Sequence, residues 1–279
     1  MLKVALTGAS GLVGSRIIEL LNNDFQFINL PQKTLDITDK EKTYRTIEKL
    51  DFDIFLHLAA YTDVDRAESN QQLAYKINVD GTRNVFEAVK QKGKKFIYIS
   101  TGFVFDGQNP PYDETSKPNP LSVYAKTKWQ GEEIVKSDSM IVRIEYPYRA
   151  NYQLKNDFVV AIKKQLSANQ PILGVEDIFI TPTFIDDIAF SIKYLINNFS
   201  NEIYHIVGGD SLSPLVAANL IAEVFNLDKT LIQPVSAKRY FVNRASRPKQ
   251  AIIKSIKNNF HKMKIFKEGL QEIKAQIII

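Results

Sequence analysis

Apolar and polar positions along this chain follow two alternating periods. Val4-Ala5-Leu6, Phe25 to Leu30, Asp53 to Leu58, Lys95 to Ile99 and Met140 to Ile144 are short, nearly continuous apolar runs that read as strands. Between them lie stretches with helical spacing. Val13 to Leu21 places Ile17, Ile18, Leu20 and Leu21 at that spacing, and a longer stretch covers about Leu73–Gln91. Thr38 with Glu41 three residues on gives the capping-box pattern, opening a helix that runs to about Leu50. Strands joined through helices need crossovers, so the sheet is expected to be parallel, with helices on both faces. Solid apolar runs suit strands buried on both sides. The alternation continues less regularly, with helical patterns at about Tyr124–Lys136, Phe158–Leu166, Ile185–Ile196 and Leu215–Phe225, and a strand at Tyr204–Val207. The expected class is therefore α/β, a doubly wound parallel sheet. Residues 1–145 form its core, later segments return to it, and residues 146–279 are mainly a small C-terminal lobe. Pro110, Pro111, Pro118 and Pro120 mark a surface loop rather than a boundary.

The first strand runs into Thr7-Gly8-Ala9-Ser10-Gly11-Leu12-Val13-Gly14 and then a helix. Gly8 permits a tight turn, Gly11 lets backbone approach a pyrophosphate, and Gly14 lets the helix pack close to the strand. The helix start offers unpaired N–H groups and a positive dipole end to phosphate. Dinucleotide binding by Gly8, Ser10, Gly11, Leu12, Val13 and Gly14 is the expectation. Further on, Tyr124 and Lys128 stand four apart, on one face of a helix. An ammonium beside a phenol stabilises the phenolate, drawing its pKa down from ~10 toward neutrality, so that the tyrosine can exchange a proton with a substrate oxygen. Ser100 and Thr101 follow the fourth strand, where a hydroxyl can hold the same oxygen. The segment resembles the one that carries the triad hydroxyl of the short-chain dehydrogenases/reductases, and register against Val104 in that pattern implies Thr101, with Ser100 structural.

The Gly-x-x-Gly-x-x-Gly spacing resembles the short-chain dehydrogenase/reductase superfamily, which implies a Rossmann-type fold. Leu35-Asp36-Ile37 resembles the adenine contact of its extended branch, with a helix-capping aspartate as the alternative for Asp36. His57-Leu58-Ala59-Ala60-Tyr61-Thr62 is similar to the segment that runs alongside the cofactor, so Ala59, Ala60, Tyr61 and Thr62 are expected there. His57 itself reads as a packed strand histidine. Asn78 matches a structural asparagine of the superfamily. The end of the second strand carries no acid to read a ribose 2′-OH, and Lys33 there could pair a 2′-phosphate. NADP(H) is favoured, with NAD(H) open.

Together, three stretches resemble the dTDP-4-dehydrorhamnose reductases: Ala59 to Glu68, Ser100-Thr101 with Val104-Phe105-Asp106-Gly107, and Pro120 to Lys128 with Gly131-Glu132. Pro182-Thr183, Tyr204-His205 and Ala245-Ser246-Arg247-Pro248 extend the likeness over nearly the whole chain. The resemblance implies hydride transfer from a nicotinamide cofactor to the ketone of a nucleotide-linked 4-keto-6-deoxy sugar. Tyr124 would donate the proton, Lys128 would tune it and hold ribose, and Thr101 would orient the carbonyl. Tyr146 stands at an aromatic substrate contact that is tryptophan in other members. The family usually has Asp where this chain has Gly102, so a carboxylate expected near the sugar is missing. After Pro248 the usual polar run becomes Lys249-Gln250-Ala251-Ile252-Ile253-Lys254, which leaves the sugar open. Two other readings stay open: a nucleotide-sugar epimerase or dehydratase, and a non-catalytic NADP-binding regulatory subunit resembling that of methionine adenosyltransferase.

Composition narrows the remaining classes. The chain has 279 residues and no cysteine, which excludes disulfide scaffolds, thiolate zinc sites and cysteine nucleophiles. His57, His205 and His261 lie far apart without metal-ligand spacing, so no metal is expected. With no signal-peptide layout and no apolar run near the ~20 residues of a membrane span, a cytoplasmic protein is expected, with a homodimer open. The net charge of +5 is local: residues 229–279 hold 12 Lys+Arg against 2 Asp+Glu. Neither an aromatic-interleaved nucleic-acid motif nor an amphipathic membrane helix accompanies it. Part of the cluster, Arg247 included, is expected to attract a substrate diphosphate, the rest being a solvated face.

Overall fold

The computed structural model describes residues 1–150 and 152–278. The core runs β1 (Lys3–Thr7), α1 (Leu12–Leu21), β2 (Gln26–Leu30), α2 (Lys40–Lys49), β3 (Ile54–His57), α3 (Val64–Ser69), α4 (Gln71–Tyr75), a π-turn at Lys76–Gly81, α5 (Thr82–Gln91), β4 (Lys95–Thr101), a 3₁₀ turn at Gly102–Val104, α6 (Val123–Val135) and β5 (Met140–Ile144). There follow β6 (Pro147–Tyr148), α7 (Phe158–Ser167), β7 (Ile172–Val175), β8 (Thr183–Phe184), α8 (Ile185–Asn197), β9 (Ile203–His205), α9 (Pro214–Phe225), β10 (Ile232–Val235), α10 (Ala237–Tyr240) and α11 (Phe266–Ile278).

The main sheet has the order β2-β1-β3-β4-β5-β9, with every pair parallel. Period-two side-chain direction splits each buried strand between two cores. Val4, Leu6, Leu56, Ile97 and Ile99 face one layer with Ile17 and Leu21 of α1 and Ile188 and Ile192 of α8. Ala5, Phe55, Phe96 and Tyr98 face the other with Ile47 of α2 and Val85 and Val89 of α5. Thus α8 and β9 return to the core from beyond residue 145. A third cluster joins Val159 of α7, Ala217 and Ile221 of α9, and Phe266, Leu270 and Ile273 of α11. Two-stranded parallel sheets, β7–β10 and β6–β8, complete that part. No helix among the described residues is long and apolar enough to cross a membrane.

Local chemistry differs from the expectation at α2. Its N-cap is Asp39, whose carboxylate accepts from the Lys42 N–H at 3.0 Å. Thr38 is turned away because its N–H and hydroxyl both donate to Asp36 Oδ1, at 3.0 and 2.8 Å. This Asx-type turn also removes the reading of Asp36 as a helix cap. The long helix read over Leu73–Gln91 is interrupted by the π-turn. α3, α10, α11 and the small sheets were not anticipated, although Phe266, Leu270 and Ile273 recur at helical spacing.

One charged pair is fully internal. Arg143 of β5 donates to both oxygens of Glu132 on α6, at 2.9 and 2.6 Å, and both side chains are about 98% buried. Breaking such a pair strands a buried cation. Glu132→Ala is expected to lower unfolding free energy in urea by about 3–5 kcal/mol. Glu41→Ala, at the exposed pair with Arg45, should leave it essentially unchanged. Equal effects would contradict this assignment.

Candidate active site

At the carboxyl end of the sheet, where chain order reverses between β1 and β3, a cavity of about 930 Å³ opens. Its wall begins at the glycine turn. Gly8 has φ +72°, and a Cβ there would come within 2.8 Å of the Leu58 carbonyl carbon. The Gly11 N–H donates to Gly8 O at 2.9 Å, and a side chain at Gly14 would run into that same oxygen. α1 starts directly after Gly11 with no side-chain cap, so its positive end faces the cavity uncovered. Gly8, Ser10, Gly11, Leu12, Val13 and Gly14 all line the cavity.

Asp36 and Ile37 line the same cavity with Leu30, Pro31 and Gln32 from the end of β2. The Thr38 backbone N–H and hydroxyl hold the Asp36 carboxyl below its ordinary range, so it remains an acceptor. Lys33 does not reach the wall. Ala59, Ala60 and Thr62 do; Tyr61 does not. Tyr61 instead packs near Ala67, Ala74 and Val123. Its backbone is clamped by Asn78 in the π-turn: Tyr61 N–H donates to Asn78 Oδ1 at 2.7 Å, and Asn78 Nδ2 donates to Tyr61 O at 3.1 Å and to Thr127 Oγ1 at 2.9 Å. The π-turn thus fixes the strand-end segment along the cavity. His57 is fully buried between Thr7 and Thr82 hydroxyls, at 2.7 and 3.3 Å, and desolvation drops its pKa to about 3. It is a packed, neutral histidine.

α6 is capped by Ser122, which accepts from the Ala125 N–H, and Glu68 accepts from the Val123 N–H at 2.9 Å. This start points Tyr124 and Lys128 at the inner end of the cavity, where Ser100 and Thr101 also line the wall. The Thr101 hydroxyl lies near Tyr124 and favours its anion, yet desolvation dominates and lifts the phenol to about 12. The expected lowering by Lys128 does not occur. Lys128 Nζ donates to Ile99 O at 2.8 Å and lies 4.0 Å above the Tyr98 ring, and burial brings it down to about 7 despite Glu132. Ser100, read as structural, has a buried Oγ without a hydrogen-bond partner on this wall.

The outer end differs more from expectation. Tyr146 lines the cavity with φ +37°, near the Phe103 and Phe158 rings. Arg247 lines it too, but it is paired with Asp65 at 2.9 Å, donates to Ala245 O and lies over Phe241. No other basic residue of 229–279 is on the wall, and several pair with acids elsewhere, such as Lys264 with Asp187 and Lys267 with Glu223. Gly102 is buried behind the wall rather than on it. A side chain there would collide with Ile253 and with the Glu145 carboxyl, so the acid missing at 102 has a counterpart on β5's end. Lys155, Asn156, Asp157 and Phe158 close the cavity from the far side, and Tyr152 donates to Ser10 O at 2.7 Å. No sequence motif signalled that contribution.

A family model described as RmlD substrate binding domain matches residues 2–278. The chain belongs to this family, that of the dTDP-4-dehydrorhamnose reductases. The dTDP-4-dehydrorhamnose reductase of Bacillus anthracis, solved in complex with NADP, superimposes with a TM-score of 0.93 at 32% identity over 99% of each chain. The curated dTDP-4-dehydrorhamnose reductase of Aggregatibacter actinomycetemcomitans is 32% identical, covering 72% of this chain and 74% of its own. Methionine adenosyltransferase 2 subunit beta of Bos taurus is 27% identical over 89% of this chain and 79% of its own.

Within this member of the family, buried Lys128 gives a signed pH effect. Folded, it loses its proton near 7; unfolded, near 10.5. Between those values the unfolded chain binds the extra proton, so stability rises with pH. Lys128→Met is expected to flatten that rise by up to about 1.4 kcal/mol per pH unit, read from urea melts across the window. Parallel curves for the two proteins would contradict it.

Proposed function

We propose that this chain is an NADPH-dependent reductase of the ketone of a nucleotide-linked 4-keto-6-deoxy sugar, with dTDP-4-dehydrorhamnose as the model substrate. The observation that carries the reading is a single cavity with a phosphate cradle at one end and Tyr124, Lys128 and Thr101 at the other. The residues fit a dinucleotide: Gly8, Gly11 and Gly14 clear the space that side chains would fill, and α1's uncapped start suits a pyrophosphate. Asp36 suits the adenine amine, and Ala59, Ala60 and Thr62 flank the remainder. When bound, NADPH supplies the hydride.

Tyr124, kept a phenol at neutral pH by its pKa of about 12, is in the form needed to give a proton to a developing alkoxide. Thr101, beside it, holds the same oxygen in line. Lys128, on the same wall and held by Ile99 O, would supply a donor to the cofactor ribose, and its ammonium is favoured when a ligand brings anionic phosphate into the cavity. Tyr146 and Arg247 stand where the sugar and its diphosphate would lie, with residues 146–279 mainly supplying the substrate lobe, apart from α8 and β9, which complete the core of 1–145. This reading goes with a cytoplasmic protein. Likeness to the bovine adenosyltransferase subunit favours a second reading, an NADP-binding regulatory subunit, which differs in having no turnover.

Tyr124→Phe is expected to lower kcat by about 10²–10⁴-fold while NADPH affinity, followed by cofactor fluorescence, stays essentially unchanged. Undiminished turnover would remove Tyr124 as the proton donor.

A further inference from the structure

Glu145 sits between Ile144 and Tyr146, both on the cavity wall, yet its side chain is 99% buried and neither carboxyl oxygen has a hydrogen-bond partner. Buried polar groups are nearly always paired, and an unpaired one calls for a reason. The neighbourhood is shaped around this group. A Cβ on Gly102 would overlap both Ile253 Cδ1 and Glu145 Oε2, so the glycine leaves room for the carboxyl beside the Ile253 side chain. Thr101, the residue before the notch, lines the cavity beside Tyr124, and Glu145 lies close enough to Tyr124 and Tyr146 that ionising it would raise both phenols.

We propose that the Glu145 carboxyl, lodged in the notch left by Gly102, is a specificity-determining contact for an oxygen of the bound sugar. The inference rests on the reading of the site as a sugar-ketone reductase. Desolvation holds Glu145 well above the usual carboxylate range, with only the Gly102 N–H, outside normal hydrogen-bond geometry, favouring the anion. The group is therefore a neutral carboxylic acid, with one O–H to donate and oxygen lone pairs to accept. Turning its tip toward the cavity breaks no hydrogen bond, because it makes none. A sugar hydroxyl next to the ketone suits such a group, and a site that leaves a polar group unpaired discriminates against ligands lacking its partner.

The test is calorimetric titration of the NADP⁺-saturated protein with dTDP-rhamnose, the product such a reduction would give, and with dTDP alone. The quantity read is the affinity advantage of the sugar-bearing ligand. Glu145→Gln, which keeps a donor and an acceptor, is expected to retain most of it. Glu145→Met, similar in size without either, is expected to lose about tenfold or more. Unchanged NADP⁺ affinity in each variant reports an intact fold. An advantage preserved in Glu145→Met, or lost equally in the glutamine and methionine variants, would overturn the role of Glu145. A wild-type protein that binds dTDP-rhamnose no better than dTDP would instead contradict the reading of the activity.

Discussion

Desolvation at the carboxyl ends of β3, β4 and β5 dominates the protonation of four groups near the inner end of the cavity. His57 is driven down to about 3, Lys128 to about 7, Tyr124 up to about 12, and Glu145 upward. Each shift has burial as its largest cause, and each moves the group toward its neutral form. The reacting end is thus built with little fixed charge of its own. In the proposed reading charge arrives with the ligand, whose phosphates would meet the uncovered end of α1. A neutral phenol beside a hydroxyl suits delivery of a proton, which is the direction a reduction requires.

That arrangement depends on two structural devices. The first is the all-parallel sheet, which brings the ends of β1, β3, β4 and β5 to one edge. The second is the internal Arg143–Glu132 pair, which ties β5 to α6 and so fixes the helix that carries Tyr124 and Lys128. Glu132 also opposes the burial effect on Lys128, so the same carboxylate serves packing and electrostatics.

Most of the core was legible because its signals are local. Solid apolar runs gave the strands, and the glycines at 8, 11 and 14 marked the turn that their backbone geometry requires. Tyr124 and Lys128 follow from spacing and Thr101 from resemblance, and the structure brings all three to one wall. Signals failed where partners are distant in sequence. Thr38 fitted a cap until Asp36 took both of its donors. Spacing shows that Lys128 is near Tyr124 but not that Ile99 O and the Tyr98 ring hold it, so the direction of the Tyr124 shift is not legible in the sequence. Gly102 looked like a lost carboxylate, since nothing in the chain order reveals that Glu145, 43 residues on by number, fills the gap. The basic stretch 229–279 looked like a substrate attractor, yet only Arg247 reaches the wall, already paired with Asp65.

The most direct measurement is the fate of a labelled hydride. NADPH deuterated at nicotinamide C4 would be mixed with the protein and dTDP-4-dehydrorhamnose, and the sugar followed by NMR. A sugar-ketone reductase yields deuterium at sugar C4, one for each NADPH oxidised. Binding of NADPH with no oxidation and no label in the sugar would contradict the reductase and favour the regulatory subunit.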